Sequence, residues 1–307
     1  MIDICLATYN GERYLAQQLD SLLAQTASDV RVLARDDGST DATVAILHEY
    51  AGRYPGNVTL IEDDVHCGGP APNFMEIMKH STADYVMFSD QDDYWYPTKA
   101  EHMLAVMQRQ ERKVGGSDVP VLAFGDYRVV DARLQPIEVA KGHLQIDKFY
   151  VSLNRLLVQN YVTGCTMMIN RAACRLAGAW EPAILMHDWW LALCCAAMGS
   201  IVHDPTVLMD YRQHGDNDVG AKDVKSWAYR LDRLRDPAAR SSSRDYLRQA
   251  QALYERLGDA MPDGSRRTLE RFLEIPRLGK FARMHRLVSG GYLKSDLVRN
   301  VGFLLWI

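Results

Sequence analysis

Short apolar runs of strand length alternate with amphipathic stretches from the first residues onward. Residues 2–7 read as a strand, and residues 13–25 carry Leu15, Leu19, Leu22 and Leu23 at helical spacing. A second strand is predicted over 30–34, followed by Asp-Asp-Gly-Ser-Thr-Asp and a helix over 42–53. A third strand over 58–61, a short helix over 73–80 and a fourth strand over 85–88 continue the alternation. Strand alternating with helix predicts an α/β fold around a mostly parallel sheet covered on both faces. Further strands are predicted at 121–124, 166–169 and 201–203, with a helix over 189–198 between the last two. Nothing in this region reads as a linker, so residues 1–224 form one expected α/β unit. From residue 225 the pattern turns helical, interrupted at 240–244 and again at Pro262-Asp263-Gly264, so 225–307 is expected to be a helical C-terminal extension.

Composition narrows the possibilities. The formal net charge of −4 over 307 residues argues against nucleic acid as the main partner. The charge is uneven: from Ser265 onward there are nine Lys/Arg against three Asp/Glu, which leaves 26 against 36 before it. The six cysteines show no CxxC spacing, so buried, reduced thiols are expected rather than a zinc site or disulfide framework. No secretion signal is read at the N-terminus, and no window reaches the roughly 18 apolar residues of a spanning helix. The expectation is a cytoplasmic protein whose membrane contact, if any, is peripheral.

The candidate chemistry lies where the strands end. Ligands of such sheets bind outside the carboxyl ends of the strands, and here those ends carry Thr8, Tyr9 and Asn10, then Asp36 and Asp37, then Asp90, Asp92 and Asp93. Three aspartates within four positions repel one another unless a positive partner compensates them. A hard divalent cation, Mg2+ or Mn2+, completed by waters and a diphosphate, is the expected partner. An EF-hand is excluded, because the further oxygen ligands and the position-twelve Glu of a calcium loop are missing.

In this order and at these intervals, LATYNGERYLAQQLDSLLAQT, RDDGSTDAT and FSDQDDYWYPTKAEHM resemble the inverting family 2 glycosyltransferases of the GT-A fold. DQDDYW with HDWWLAL and YRQHGDN is similar to the bacterial rhamnosyltransferase-like branch that builds surface polysaccharides. The resemblance covers roughly residues 1–220. It implies that Thr8, Tyr9, Asn10 and Glu12 flank the donor nucleotide and that Asp37 accepts a hydrogen bond from a pyrimidine N3–H. Asp90-Gln91-Asp92 would be the DxD motif, with Asp92 the direct metal ligand, Asp90 beside it and His214 completing the shell. Asp93 is expected either to share that role or to cap the next helix, and Arg212 to face the diphosphate.

The resemblance also implies Asp188 as the general base, with the competing reading that it only caps the following helix. His187 would tune that base, and Thr163 and Gly164 would let backbone approach the sugar. Trp189 and Trp190 are expected either to stack on a saccharide or to lie in the core. The expected donor is dTDP-L-rhamnose, with UDP-hexoses as rivals, and the expected acceptor is a lipid-linked saccharide. In the tail, Arg266, Arg267, Arg271, Arg277, Lys280, Arg283 and Arg286 interleave with apolar residues. That pattern suits an anionic membrane surface, or alternatively a lid or homodimer contact. A silent sugar-nucleotide-binding module and a metal-dependent nucleotidyltransferase are the rival classes; the latter lacks its Gly-rich basic loop.

Overall fold

The computed structural model describes residues 1–137, 151–214, 237–295, 300, 301, 303 and 304. Residues 225–236 at the start of the expected extension, and 302 and 305–307 of the terminal apolar run, lie outside the described residues. The chain runs β1 (Ile2–Thr8), α1 (Leu15–Leu23), β2 (Val30–Asp36), α2 (Thr43–Arg53), β3 (Val58–Leu60), α3 (Pro70–His80), β4 (Tyr85–Ser89), β5 (Tyr94–Trp95) and α4 (Lys99–Val114). It continues through β6 (Val121–Val130), α5 (Leu153–Leu156), β7 (Met167–Asn170), α6 (Arg171–Ala177), α7 (His187–Met198) and β8 (Ser200–Arg212). Three helices follow: α8 (Pro237–Leu257), α9 (Asp263–Leu273) and α10 (Lys280–Ser289).

One eight-stranded sheet has the order β3-β2-β1-β4-β7-β6-β8-β5. β1 lies between β2 and β4 and is parallel to both, with Thr8 opposite Asp36 and Leu6 opposite Ser89. The chain builds outward from β1 to β3 and then returns to the other side of β1 as β4. Such a reversal opens a crevice at the carboxyl ends of the two strands flanking it. That geometry brings the residues after β1, β2 and β4 to one edge.

Six of the eight strands run in one direction, the mostly parallel sheet expected, and β7 and β5 are the exceptions. β7 is antiparallel to both β4 and β6, and β5 is antiparallel to β8, so the sheet is mixed. β5 has only two residues and is held by pairing with Asp210 and Met209 far along the chain, which local periodicity does not reveal. This pairing carries the end of β8 to the aspartate-rich loop after β4.

β1 is buried throughout, and its side chains alternate between two cores. Ile2, Ile4 and Leu6 pack with α1, α2 and α4 on one face. Cys5 and Ala7 face the other core, where α3 and α7 pack. That second core continues without a break into the C-terminal helices, through Leu253, Leu269, Phe272, Ile275 and Leu287. The polar stretch 240–244, expected to interrupt the helix, lies inside α8. The expected break at Pro262 is present, and Asp263 opens α9. Five cysteines are buried, Cys67 is half-buried, and all six are free thiols. No helix among the described residues is long and apolar enough to cross a membrane.

Candidate active site

At the end of β1, Thr8 is buried and donates through its hydroxyl to Asp36 Oδ1 at 2.9 Å. Asp36 also accepts from the backbone N–H groups of Gly38 and Ser39, which closes the turn after β2. Asn10 sits at a positive φ of 48°, a conformation asparagine tolerates. Its side-chain oxygen accepts from Thr40 N at 2.8 Å, and Glu12 accepts from Ala42 N at 2.8 Å. These bonds stitch the loop after β1 to the loop after β2. Tyr9 is left exposed at the rim.

Asp37 is buried, and its two oxygens accept from Cys67 N at 2.7 Å and Gly69 N at 3.0 Å. Beneath it, the buried Arg35 guanidinium holds Asp63 and Asn73. Asp37 borders a cavity of about 350 Å³ with Val44, Leu60 and Ile61 on its apolar side.

The loop after β4 is tied on three sides. The Gln91 amide accepts from Tyr9 N and donates to Tyr9 O, both at 2.9 Å, so it pairs with the first loop like a strand. A Cβ at Gly11 would strike that same amide, which explains the glycine. Asp92 Oδ2 lies 2.7 Å from His214 Nε2. The two are hydrogen-bonded to each other, so a divalent ion would take both by displacing the shared proton. Asp90 is grouped instead with Asp93 and Cys165, their ligand atoms all within 4.8 Å of one another. Burial, reinforced by the charges of Asp92 and Asp188, raises the Asp90 carboxyl to about 7.

Two expectations are corrected here. Asp93 does not cap α4: it is fully buried, accepts from Arg212 N at 3.2 Å, and α4 begins at Lys99 with Thr98 at its cap. Arg212 is not an open cation beside the diphosphate. Its guanidinium is buried, donating to the carbonyls of Asp92 and Ala132 and to Gln17 Oε1 at 2.6–2.7 Å, over the ring of Tyr14. It braces the loop from behind, because β5–β8 pairing delivers it there.

Asp188 stands in the first turn of α7, where a carboxylate also suits the helix dipole. Its Oδ2 accepts from Gly164 N at 3.1 Å, and its Oδ1 from Asn160 Nδ2 at 3.0 Å and Trp189 N at 2.6 Å. Burial raises its carboxyl to about 7 against these hydrogen bonds. It is thus both a helix-terminus group and a dry carboxylate within electrostatic reach of Asp90. Gly164 opens a short 3-10 turn, Gly164–Thr166, with Thr163 before it. A Cβ there would sit 2.6 Å from His187 Nε2. His187 is buried between Phe74 and Phe88, with ring centroids at 4.3 and 5.2 Å. Neither ring nitrogen has a hydrogen-bond partner, and burial lowers the imidazole to about 3.

Trp190 offers no stacking face. It is fully buried and donates to Ala177 O, which settles the open choice for that residue in favour of the core. Trp189, almost as buried, donates to Leu156 O at 2.6 Å and packs on Tyr246.

Sequence reasoning missed Lys99 and Asn160. Lys99 is buried beneath the aspartates, its Nζ donating to Cys165 O at 2.5 Å with Met209 Sδ at 3.1 Å. Burial lowers its ammonium to about 7, opposed by the charges of Cys165, Asp93 and Asp90. It is a positive partner for the carboxylates that comes from the chain itself. A lysine in the first turn of a helix, where the dipole disfavours it, was the available signal.

The model of the family described as "Glycosyl transferase family 2" matches residues 3–175, more than half of the chain. The chain belongs to glycosyl transferase family 2. A dTDP-rhamnosyl transferase of Shigella flexneri, RfbG, is 29% identical over 229 residues, covering 70% of this chain and 74% of that protein. Among solved structures, residues 1–349 of TarS of S. aureus in complex with UDP-GlcNAc superpose with a TM-score of 0.58 at 15% identity, covering 99% of this chain and 90% of that one. The mannosyltransferase PcManGT from Pyrobaculum calidifontis, in complex with GDP-Man and Mn2+, gives 0.51 at 16% identity over 98% of this chain and 77% of that one. At such identities the likeness concerns the fold, a GT-A-like α/β architecture. Glycosyl transfer is the chemistry of the family to which this site belongs.

Proposed function

We propose that the chain transfers one sugar with inversion from a nucleotide-activated donor to a saccharide hydroxyl, the donor being dTDP-L-rhamnose and the setting cell-surface polysaccharide assembly. The observation that carries this reading is the Asp188 carboxylate, pinned by Gly164 N–H and Asn160 in a dry setting beside the Asp90 loop. A carboxyl raised to about 7 suits a general base working near neutral pH. It takes the acceptor hydroxyl proton as that oxygen attacks the anomeric carbon from the face opposite the leaving diphosphate, and one displacement inverts the centre.

On the donor side, Thr8, Tyr9, Asn10, Glu12 and Gln91 shape the edge for the nucleotide. Asp37 retains acceptor capacity for a pyrimidine N3–H, since a carboxylate offers about four lone-pair sites. Asp92 and His214, with Asp90 near, would hold Mg2+ or Mn2+, which when bound neutralises charge developing on the diphosphate. Thr163 and Gly164 would line the acceptor side of the same crevice, with His187 and Trp189 buried behind them. Support for the rhamnosyl donor comes from the RfbG relative. A UDP-sugar donor is the second reading, favoured by the fold likeness to TarS in complex with UDP-GlcNAc.

A lipid-linked acceptor would place the protein peripherally at the cytoplasmic face of the membrane. Along α10, Phe281 and Val288 are exposed on one stripe with His285, beside Lys280, a composition suited to an anionic lipid surface. A thermal-shift titration with dTDP, UDP and GDP, each with and without Mn2+ or Mg2+, tests the donor reading. Metal-dependent stabilisation strongest with dTDP is expected. A UDP preference would move the donor to a hexose, and no stabilisation by any nucleotide would sink the donor site.

A further inference from the structure

Lys99 is the first residue of α4 and is 1% exposed. Both facts work against a cation, because burial strips hydration from the ammonium and the positive end of the helix dipole lies at that terminus. A charge kept in such a place must be compensated by its neighbours, and those neighbours in turn depend on it. They come from two parts of the site. Nζ donates to the carbonyl of Cys165 at 2.5 Å, with Met209 Sδ at 3.1 Å and the Trp95 ring centre at 3.3 Å. Cys165 belongs to the Gly164–Thr166 turn, whose Gly164 N–H holds Asp188 Oδ2 at 3.1 Å. The loop that carries Asp92 lies against the same turn, since one ligand atom each of Asp90, Asp93 and Cys165 all fall within 4.8 Å of one another, and the charges of Cys165, Asp93 and Asp90 act on the ammonium.

We propose that Lys99 is a positioning residue for the transfer reaction: a buried cation that fixes the Asp90–Asp93 loop to the Gly164–Thr166 turn and, through that turn, sets where Asp188 stands. This rests on the glycosyltransferase reading above. Too buried to meet donor or acceptor, Lys99 acts on the distance between the two halves of the crevice. Its loss therefore lowers turnover rather than donor binding.

Lys99→Met keeps an unbranched side chain and removes the ammonium. With the donor that the wild type turns over, kcat is expected to fall by about tenfold or more while the donor KM stays within about threefold, the split expected when only reactive geometry is lost. Urea midpoints of Lys99→Met, Asp93→Asn and the double variant form a cycle. Asp93→Asn is expected to recover about half or more of the stability lost in Lys99→Met, because a carboxyl buried without a nearby compensating cation costs more than a neutral amide in its place, without restoring kcat. Should Lys99→Met not fold alone, the kinetic comparison is made in the Asp93→Asn background, with the same fall in kcat expected. Turnover within about twofold of the reference, a rise in KM at constant kcat, or additive stability losses would each overturn the proposal. A wild-type protein that turns over no nucleotide sugar would sink the glycosyltransferase reading itself, and that is known before any variant is compared.

Discussion

His187 is the residue whose physics is most exposed to test. It is buried with both ring nitrogens unpartnered, and its pKa falls to about 3 through burial. The native state therefore refuses a proton that the unfolded chain accepts below about 6.5. Stability from this group is complete above that value and is lost as pH falls toward about 3, at up to roughly 1.4 kcal/mol per pH unit. His187→Leu, of similar volume and without a charged form, should thus gain stability over wild type progressively between pH 7.5 and pH 5, read from urea midpoints, about 2 kcal/mol at the lower value. A difference independent of pH would mean that the imidazole finds a partner or solvent. At this scale the sequence was legible wherever a residue's role is local. Asp188 in the first turn of α7 follows from residue type and place. Lys99, Asn160 and the bracing role of Arg212 were not legible, because each depends on groups distant in sequence, such as Cys165, Asp188 and Asp92.

Among the elements, the loop after β4 does not stand alone: Gln91 pairs with Tyr9 backbone and Arg212 braces it from β8. Gln91→Ala removes two hydrogen bonds at a solvent-exposed seam, so fold stability should change by no more than about 1 kcal/mol, since water replaces them. Affinity for dTDP, by calorimetry, should fall about tenfold, because the donor edge loses its tie between two loops. Gly11→Ala, whose Cβ would strike the same amide, should reproduce that loss. Unchanged affinity in both would remove Gln91 from the donor edge. β1, β2 and β4 were readable from apolar runs because their centres are buried within a parallel sheet. β5 and the antiparallel insertion of β7 were not, since pairing with β8, β4 and β6 creates them.

For the molecule as a whole, the C-terminal helices share the core that α7 and β4 build, rather than forming an appendage. Each fully buried side chain of the Phe272 or Leu253 kind contributes about 1.5–3 kcal/mol, and losing several exceeds the 5–15 kcal/mol that stabilises a typical domain. A chain ending at residue 224 is therefore expected to aggregate or bind hydrophobic dyes, judged by sedimentation and circular dichroism. A soluble, cooperatively folding 1–224 product would make the helices dispensable. The helical nature of this region was legible in its periodicity, but its attachment was not, since amphipathic faces do not name their partners.

The central claim is that Asp188 takes the acceptor proton at a site that holds the donor independently of it. The direct measurement is release of dTDP from dTDP-L-rhamnose in the presence of Mn2+ by the wild type and by Asp188→Asn, with dTDP affinity measured on both. The account predicts turnover by the wild type, a loss of about a hundredfold or more in the variant, and nucleotide affinities within about threefold of each other. A variant that binds dTDP and still turns the donor over at the wild-type rate would contradict it.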